Sequence, residues 1–157
     1  MHLARKLRTK MTHKELTERA VKWLKRHSNN TKIPNCSTIA SEITSNTTSG
    51  EIPDVLGWNY WTSVLIETKV SRSDFLRDFK KPFRQFADIG MGEFRYYICP
   101  KDLIKIEEVP ENWGLLYCNS KGKIETIKIA NRQQANLQCE RTILLSLVRR
   151  AKSSACA

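Results

Sequence analysis

A nearly continuous apolar run limits the folds open to this chain: Val64-Leu65-Ile66-Glu67-Thr68-Lys69-Val70. Its apolar residues do not alternate with polar ones, which is typical of a strand buried on both faces. Two charged residues, Glu67 and Lys69, interrupt the run. A charged group that leaves water must be paired or bound to a metal, so these two residues require an explanation.

Periodicity and turn signals assign the rest of the chain. Thr12 and Glu15 form a capping box at the start of an amphipathic helix. Pro82 interrupts a second helical stretch and is expected to kink or divide it. The predicted elements are a helix at 13–27, strands at 38–43, 51–58 and 61–70, a helix at 71–86, a strand at 94–99, a hairpin of 113–118 with 123–129, and a helix at 132–151.

This order predicts an α/β (or α+β) fold with one central mixed sheet flanked by helices. The core order is αβββαβ, followed by a C-terminal hairpin and helix. The 157 residues fit a single domain. Within it we distinguish a basic N-terminal arm (1–12), a core (13–100) and a C-terminal hairpin and helix (101–157).

Charge is distributed unevenly along the chain. The net charge is +11, from 27 Lys and Arg against 16 Asp and Glu. Residues 1–32 and 119–157 carry net charges of +8 and +6, whereas 33–118 carries −3. A basic protein attracts polyanions, of which nucleic acid is the usual candidate. Acidic residues inside a basic envelope suggest carboxylates that hold a divalent cation where a phosphodiester is bound.

Three residues carry the candidate chemistry: Asp54, Glu67 and Lys69. Glu67 and Lys69 are two apart on a strand, so they share one face. Asp54 lies on the neighbouring strand of the predicted hairpin, beside Glu67. Two close carboxylates, with the backbone carbonyl of Thr68, suit Mg²⁺ or Mn²⁺. Lys69 would orient or help deprotonate an attacking water and offset phosphate charge. The competing interpretation is a buried Glu67–Lys69 ion pair or a solvent-facing polar stripe.

These residues resemble a known family. Pro53-Asp54 followed by Glu67-Thr68-Lys69 is similar to the signature of the PD-(D/E)xK nuclease superfamily. The stretch from Glu67 to Lys81 and the segment from Arg95 to Pro100 resemble its MmcB-like DNA-repair branch and related small phage and bacterial nucleases. The similarity covers about residues 38–118.

The resemblance implies a restriction-endonuclease-like core, metal ligation by Asp54 and Glu67, and Lys69 as the catalytic lysine. Many members of the superfamily add an acidic residue before the aspartate strand. We predict Glu42 in this role ahead of Glu51. Glu51 is three residues before Asp54 and would point to the opposite face of a regular strand.

The helix after the motif supplies candidate contacts to nucleic acid. Arg72 and Lys81 could hold the phosphate backbone. Ser71 could instead cap the helix, Asp78 could pair with Lys81 or Arg77, and Gln85 could be an ordinary surface amide. Base stacking by Trp58, Tyr60 or Trp61 at the hairpin tip is a further possibility. The full set of predicted nucleic-acid-binding residues is Ser71, Arg72, Lys80, Lys81, Arg84 and Gln85.

The resulting expectation is a Mg²⁺- or Mn²⁺-dependent DNA endonuclease, cytoplasmic, bacterial or phage-encoded, not membrane-bound, and able to form a homodimer. DNA is preferred to RNA as the substrate. Two alternatives stay open: a non-catalytic nucleic-acid-binding protein on the same fold, and an inhibitor or interaction protein that docks on an acidic partner. The sequence has no P-loop and no GxSxG motif, and its three histidines show no clear triad partner.

Overall fold

A computed structural model describes residues 10–25, 32–43 and 47–156. Most of the basic arm and the last two residues of the first predicted helix lie outside this part of the chain. The elements are α1 (His13–Lys25), β1 (Thr38–Ser41), β2 (Val55–Trp58), β3 (Ser63–Thr68), α2 (Arg72–Asp78), α3 (Pro82–Gln85), β4 (Phe94–Pro100), a 3₁₀ turn (Ile106–Glu108), β5 (Gly114–Cys118), β6 (Ile124–Lys128) and α4 (Leu137–Ala155).

The six strands form one mixed sheet in the order β1-β2-β3-β4-β5-β6. The β1–β2, β2–β3 and β5–β6 pairs are antiparallel, whereas β4 runs parallel to both β3 and β5. All six residues of β3 are buried. The predicted central strand, the mixed sheet and the two hairpins are therefore confirmed.

Helices cover both faces of this sheet. On one face, Leu16, Ala20 and Leu24 of α1 pack with Val64 and Ile66 of β3. Gly57 of β2 allows this close approach, because a Cβ there would lie 2.7 Å from Leu24 Cδ2. On the other face, a core built from β2–β5, α2 and α4 contains Leu56, Leu65, Phe75, Tyr97, Trp113 and Ile143.

The predicted helix over 71–86 is two helices. The first, α2, ends at Asp78, and α3 begins at Pro82, whose fixed φ suits the first turn of a helix. Lys81, which precedes the proline, has an extended backbone (φ −73°, ψ 134°). Proline disfavours the α conformation in the residue before it, so the helix stops and restarts in a new direction.

Several boundaries differ from the prediction, and three of them affect the site or the turn beside it. The strand β2 begins at Val55 and not at Glu51, so residues 51–54 approach the sheet as irregular chain. The β2–β3 turn spans 59–62 and includes Trp61. The last helix begins at Leu137, because the side chain of Asn136 accepts the N–H of Cys139 and caps it.

Two buried polar residues fasten the loops at one end of the sheet. The Arg95 guanidinium donates to the carbonyls of Ala87, Gly90, Gly92 and Gln134. The Glu140 carboxylate accepts from Trp58 Nε1, Ser63 Oγ and the Gly92 N–H. These bonds tie the segment before β4 to the start of α4. Among the described residues, no helix has the length and apolar content of a membrane span.

Candidate active site

The β2–β3 pairing brings Asp54 and Glu67 together. Val55 pairs with Ile66, so the antiparallel register places Asp54, one residue earlier, opposite Glu67. Asp54 Oδ2 accepts the backbone N–H of Thr68 at 2.8 Å, which holds the carboxylate against the end of β3. Glu67 is buried, and 19% of the Asp54 side chain is exposed. The acidic pair therefore has one buried and one solvent-accessible member.

Lys69 lies on the same face as Glu67, as the strand periodicity predicts. Its Nζ is 3.6 Å from Glu67 Oε2 and 3.3 Å from Asp78 Oδ1. Burial alone would lower the pKa of Lys69, but the carboxylates of Glu67 and Asp78 outweigh it and raise this pKa. The amine therefore stays protonated at neutral pH.

Asp78, at the end of α2, is bonded to several of the donor groups around the site. It receives hydrogen bonds from Tyr97 Oη (2.7 Å) and Arg84 Nε (2.7 Å), and Lys81 Nζ is 3.0 Å from its Oδ1. Burial works to raise the pKa of Asp78, but the charges of Arg84 and Lys69 hold it well below the usual range. Asp78 is therefore an ionised, fully buried carboxylate.

Arg84 links three carboxylates from three parts of the chain. It binds Asp78 through Nε, Glu51 through Nη1, and approaches Glu67 Oε1 through Nη2 at 3.0 Å. The same guanidinium lies over the ring of Trp113, 5.0 Å from its centroid. Only 3% of this side chain is exposed, so Arg84 is an internal brace of the site.

Asp54 has the most accessible carboxylate of the group. Burial, together with the nearby charge of Glu67, raises the pKa of Asp54 to about 6. His13, the first residue of α1, has Nε2 3.4 Å from Asp54 Oδ1 and Nδ1 3.6 Å from Glu42 Oε1. Glu42 therefore lies at the edge of the site, where it contacts His13. Its side chain is more exposed than that of Asp54.

The donor set can be tested for its fit to a hard divalent cation. Glu67 Oε1 is buried, and Arg84 Nη2 lies 3.0 Å from it. Glu67 faces Asp54, whose pKa is raised by burial and, in addition, by the nearby charge of Glu67. In the described part of the chain, no three His, Cys, Asp or Glu residues form a metal-binding group. The residues present therefore fit a Mg²⁺ site in which two carboxylates are completed by carbonyl or water oxygens.

Among known proteins, no family model matches the chain, and no curated protein matches it. A solved structure shares the fold: the SPO1766 protein of unknown function from Silicibacter pomeroyi superposes with a TM-score of 0.61. It is 19% identical, and the match covers 92% of each chain. This similarity establishes the common fold of the two proteins.

The residues predicted to bind nucleic acid have different surroundings. Lys80, Lys81 and Gln85 are exposed, although Lys81 also forms an ion pair with Asp78. Arg72 is exposed but forms a bidentate pair with Glu108. The side chain of Ser71 accepts the N–H of Asp74, so it caps α2.

The structure places Arg84 differently from the prediction. The sequence places it with the phosphate contacts, but the structure turns its guanidinium inward to three carboxylates. The cause is the break at Pro82, which redirects α3 so that Arg84 faces the sheet.

Two residues near the site carry no sequence signal that would have identified their position. Glu51 was expected on the opposite face, but it lies outside the strand and its buried carboxylate binds Arg84 and the Met91 N–H. His13 is brought to Asp54 by the packing of α1. For Asp78, by contrast, the sequence offered a signal: this carboxylate lies in the helix that follows the motif strand, four residues before Pro82.

Proposed function

We propose that this chain is a metal-dependent nuclease with a restriction-endonuclease-like core that hydrolyses phosphodiester bonds, with DNA preferred over RNA. The observation that carries the proposal is the placement of Asp54 opposite Glu67, with the Lys69 amine on the same face. This is the arrangement that the PD-(D/E)xK resemblance implies. A structural Glu67–Lys69 ion pair alone would not require a second carboxylate, that of Asp54, opposite Glu67.

Asp54, Glu67 and the Thr68 carbonyl would hold Mg²⁺ or Mn²⁺, which when bound supplies an activated water and neutralises phosphate charge. Asp54, the accessible carboxylate, faces the substrate side. Glu67 is held in place by ion pairs with Lys69 and Arg84.

Lys69 contributes a fixed positive charge. Since neighbouring carboxylates raise its pKa, the amine is a poor base at neutral pH. It is suited to donate hydrogen bonds to a water or to a phosphate oxygen. Of the two roles predicted for Lys69, orientation with charge compensation is therefore the one that its environment supports.

The basic surface supplies a means of attracting the substrate. Lys80 is exposed beside the site, and the chain carries a net charge of +11. Contacts to phosphate position a nucleic acid without reading its sequence. The exposed lysines therefore favour a substrate selected by shape or strandedness.

The decisive experiment is cleavage of labelled single-stranded, duplex, flapped and junction DNA and of RNA, each with Mg²⁺, Mn²⁺ or EDTA. We expect metal-dependent cleavage that Glu67→Gln and Lys69→Met each reduce by at least 100-fold. Glu125→Gln and Lys123→Met are matched controls, because both residues are exposed on the β5–β6 hairpin. Circular dichroism confirms that each variant is folded.

Three results would argue against the proposal. Equal cleavage by wild type and Glu67→Gln would point to a contaminating nuclease. Binding without cleavage in either metal would favour the non-catalytic nucleic-acid-binding protein. The absence of both binding and cleavage would favour docking on an acidic partner.

A further inference from the structure

The turn between β2 and β3 presents two aromatic rings to solvent. Tyr60 is 98% exposed and Trp61 is 85% exposed. The preceding tryptophan, Trp58, is buried and bonded to Glu140. Aromatic side chains normally bury much of their area, so two neighbouring rings held in water are unusual in a folded domain.

The backbone that carries these rings is fixed by hydrogen bonds. Asn59 Oδ1 accepts the N–H groups of Trp61 (2.8 Å) and Thr62 (2.9 Å). Asn59 Nδ2 donates to the carbonyl of Asn35 at 3.0 Å, which ties the turn to the chain before β1. A ligand that stacks on these rings would therefore lose little affinity to ordering of the turn.

Arg132 supports the turn from the other side. Its Nη2 is 3.4 Å from the Trp61 carbonyl, and the same atom forms an ion pair with Glu93 at 2.7 Å. Glu93 in turn accepts the N–H of Ser63, the first residue of β3. The rings thus project from a braced end of the sheet.

The surroundings favour a nucleobase over a protein as the occupant. The described residues that hydrogen-bond to the turn from outside it, Asn35 and Arg132, are polar. Within the turn, the large exposed apolar groups are the two rings. Protein interfaces require a much larger contiguous area, whereas a single base stacks on one ring.

A basic helix connects this turn to the candidate active site. His13, at the start of α1, lies beside Asp54, and near its end the Leu24 carbonyl accepts the N–H of Cys36. Leu24 also packs against Gly57, close to the end of β2 that leads into the turn. Thirteen helical residues span about 20 Å. Three exposed lysines lie along this distance: Lys14, Lys22 and Lys25.

We propose that Tyr60 and Trp61 stack on unpaired bases of a nucleic acid strand whose backbone follows the lysines of α1. The protein would then select single-stranded or branched nucleic acid over fully paired duplex. The statement about binding is independent of cleavage, whereas its consequence for substrate choice rests on the proposed function.

The test is binding in EDTA to a fluorescein-labelled 20-nucleotide single strand and to the corresponding duplex. The Tyr60→Ala/Trp61→Ala variant should fold normally, because both side chains are exposed. We expect its Kd for the single strand to rise about 25-fold or more, since loss of one stacked base costs roughly 5- to 150-fold. Its Kd for the duplex should change less than twofold.

Two controls separate stacking from a general surface effect. Tyr60→Phe/Trp61→Phe keeps both aromatic faces and should retain single-strand affinity within about threefold. Leu145→Ala removes an exposed apolar side chain from α4 and should change neither Kd. The single strand should also quench tryptophan fluorescence in wild type and lose that effect in Trp61→Phe.

The outcomes distinguish this inference from the nuclease proposal. Loss of single-strand affinity in the double alanine variant supports the inference even where the wild type cleaves nothing. Cleavage by wild type with the same strand preference in the double variant overturns the inference and leaves the nuclease proposal standing. Equal weakening of single strand and duplex also overturns it. Unchanged affinity for every nucleic acid would assign the rings to a protein partner.

Discussion

The Lys69 amine lies 3.3 Å from Asp78 Oδ1 in a buried ion pair that joins the end of β3 to the end of α2. Lys69 directly follows the candidate catalytic strand, whereas Asp78 lies nine residues later, at the end of α2. The pair explains how a lysine is held on the face of Glu67 inside the protein. It also makes Asp78 central to stability.

We predict that Asp78→Ala lowers the free energy of unfolding by about 3–5 kcal/mol. Removal of Asp78 takes one counter-charge from both Lys69 and Arg84, which stay buried, and this is strongly destabilising. Urea unfolding at pH 7 measures the change. Asp74→Ala is the matched control in the same helix, because its exposed pair with Arg77 should contribute less than about 1 kcal/mol. Similar losses for the two variants would contradict the buried network.

The pKa of Asp54 gives a pH-dependent prediction. A folded-state pKa of about 6, above the ordinary value of 3.8, means that the folded protein holds this proton more tightly than the unfolded chain. The stabilisation that comes from this tighter proton binding is fully present below about pH 4 and is lost as pH rises through about 6. Without added metal, Asp54→Asn should therefore raise the free energy of unfolding at pH 7.5 by about 1–3 kcal/mol.

At pH 3.5 the same substitution should have little effect, because Asp54 is then protonated in both states. The asparagine oxygen can still accept the Thr68 N–H, so the hydrogen bond is retained. Denaturant titrations of both proteins at the two pH values check this result. A stability difference that does not change with pH would show that Asp54 has an ordinary pKa.

Glu140→Ala should lower the free energy of unfolding by about 2–4 kcal/mol. The substitution leaves three buried donors, on Trp58, Ser63 and Gly92, without their acceptor. Thermal unfolding followed by circular dichroism measures the loss. Glu111→Ala, at an exposed position before β5, should stay within about 0.5 kcal/mol of wild type.

The lysines of α1 give a prediction about salt. If Lys22 and Lys25 contact phosphates, then Lys22→Gln/Lys25→Gln should reduce the slope of log K against log salt concentration by about 1.4 for a single strand. Fluorescence anisotropy between 50 and 200 mM NaCl measures that slope. Lys101→Gln/Lys121→Gln removes the same charge from exposed positions on other elements. An equal change in this control would indicate a general effect of net charge.

Much of the fold could be predicted because its signals are local. The apolar run at β3, the Thr12–Glu15 capping box and the Asn119–Gly122 turn each depend on neighbouring residues, and the structure contains all three. The shared face of Glu67 and Lys69 follows from strand periodicity alone, and their contact confirms it.

The surroundings of the site could not be predicted from local rules. Arg84 was assigned to the surface because a continuous helix was expected to carry it outward, but the restart at Pro82 turns it inward. Glu51 was excluded by an alternation rule that applies only within a regular strand, and it lies before β2 begins. Both errors arise where the chain changes direction between elements.

The position of β3 has a consequence for the order in which the protein is made. Glu67 can face Asp54 as soon as the β2–β3 hairpin has been synthesised. Arg84 follows 17 residues later, and the Ile98 carbonyl that accepts the Lys69 N–H comes later still, on β4. A growing chain therefore carries its acidic pair before the residues that enclose it. Lys69 gains this backbone partner only when β4 joins the sheet.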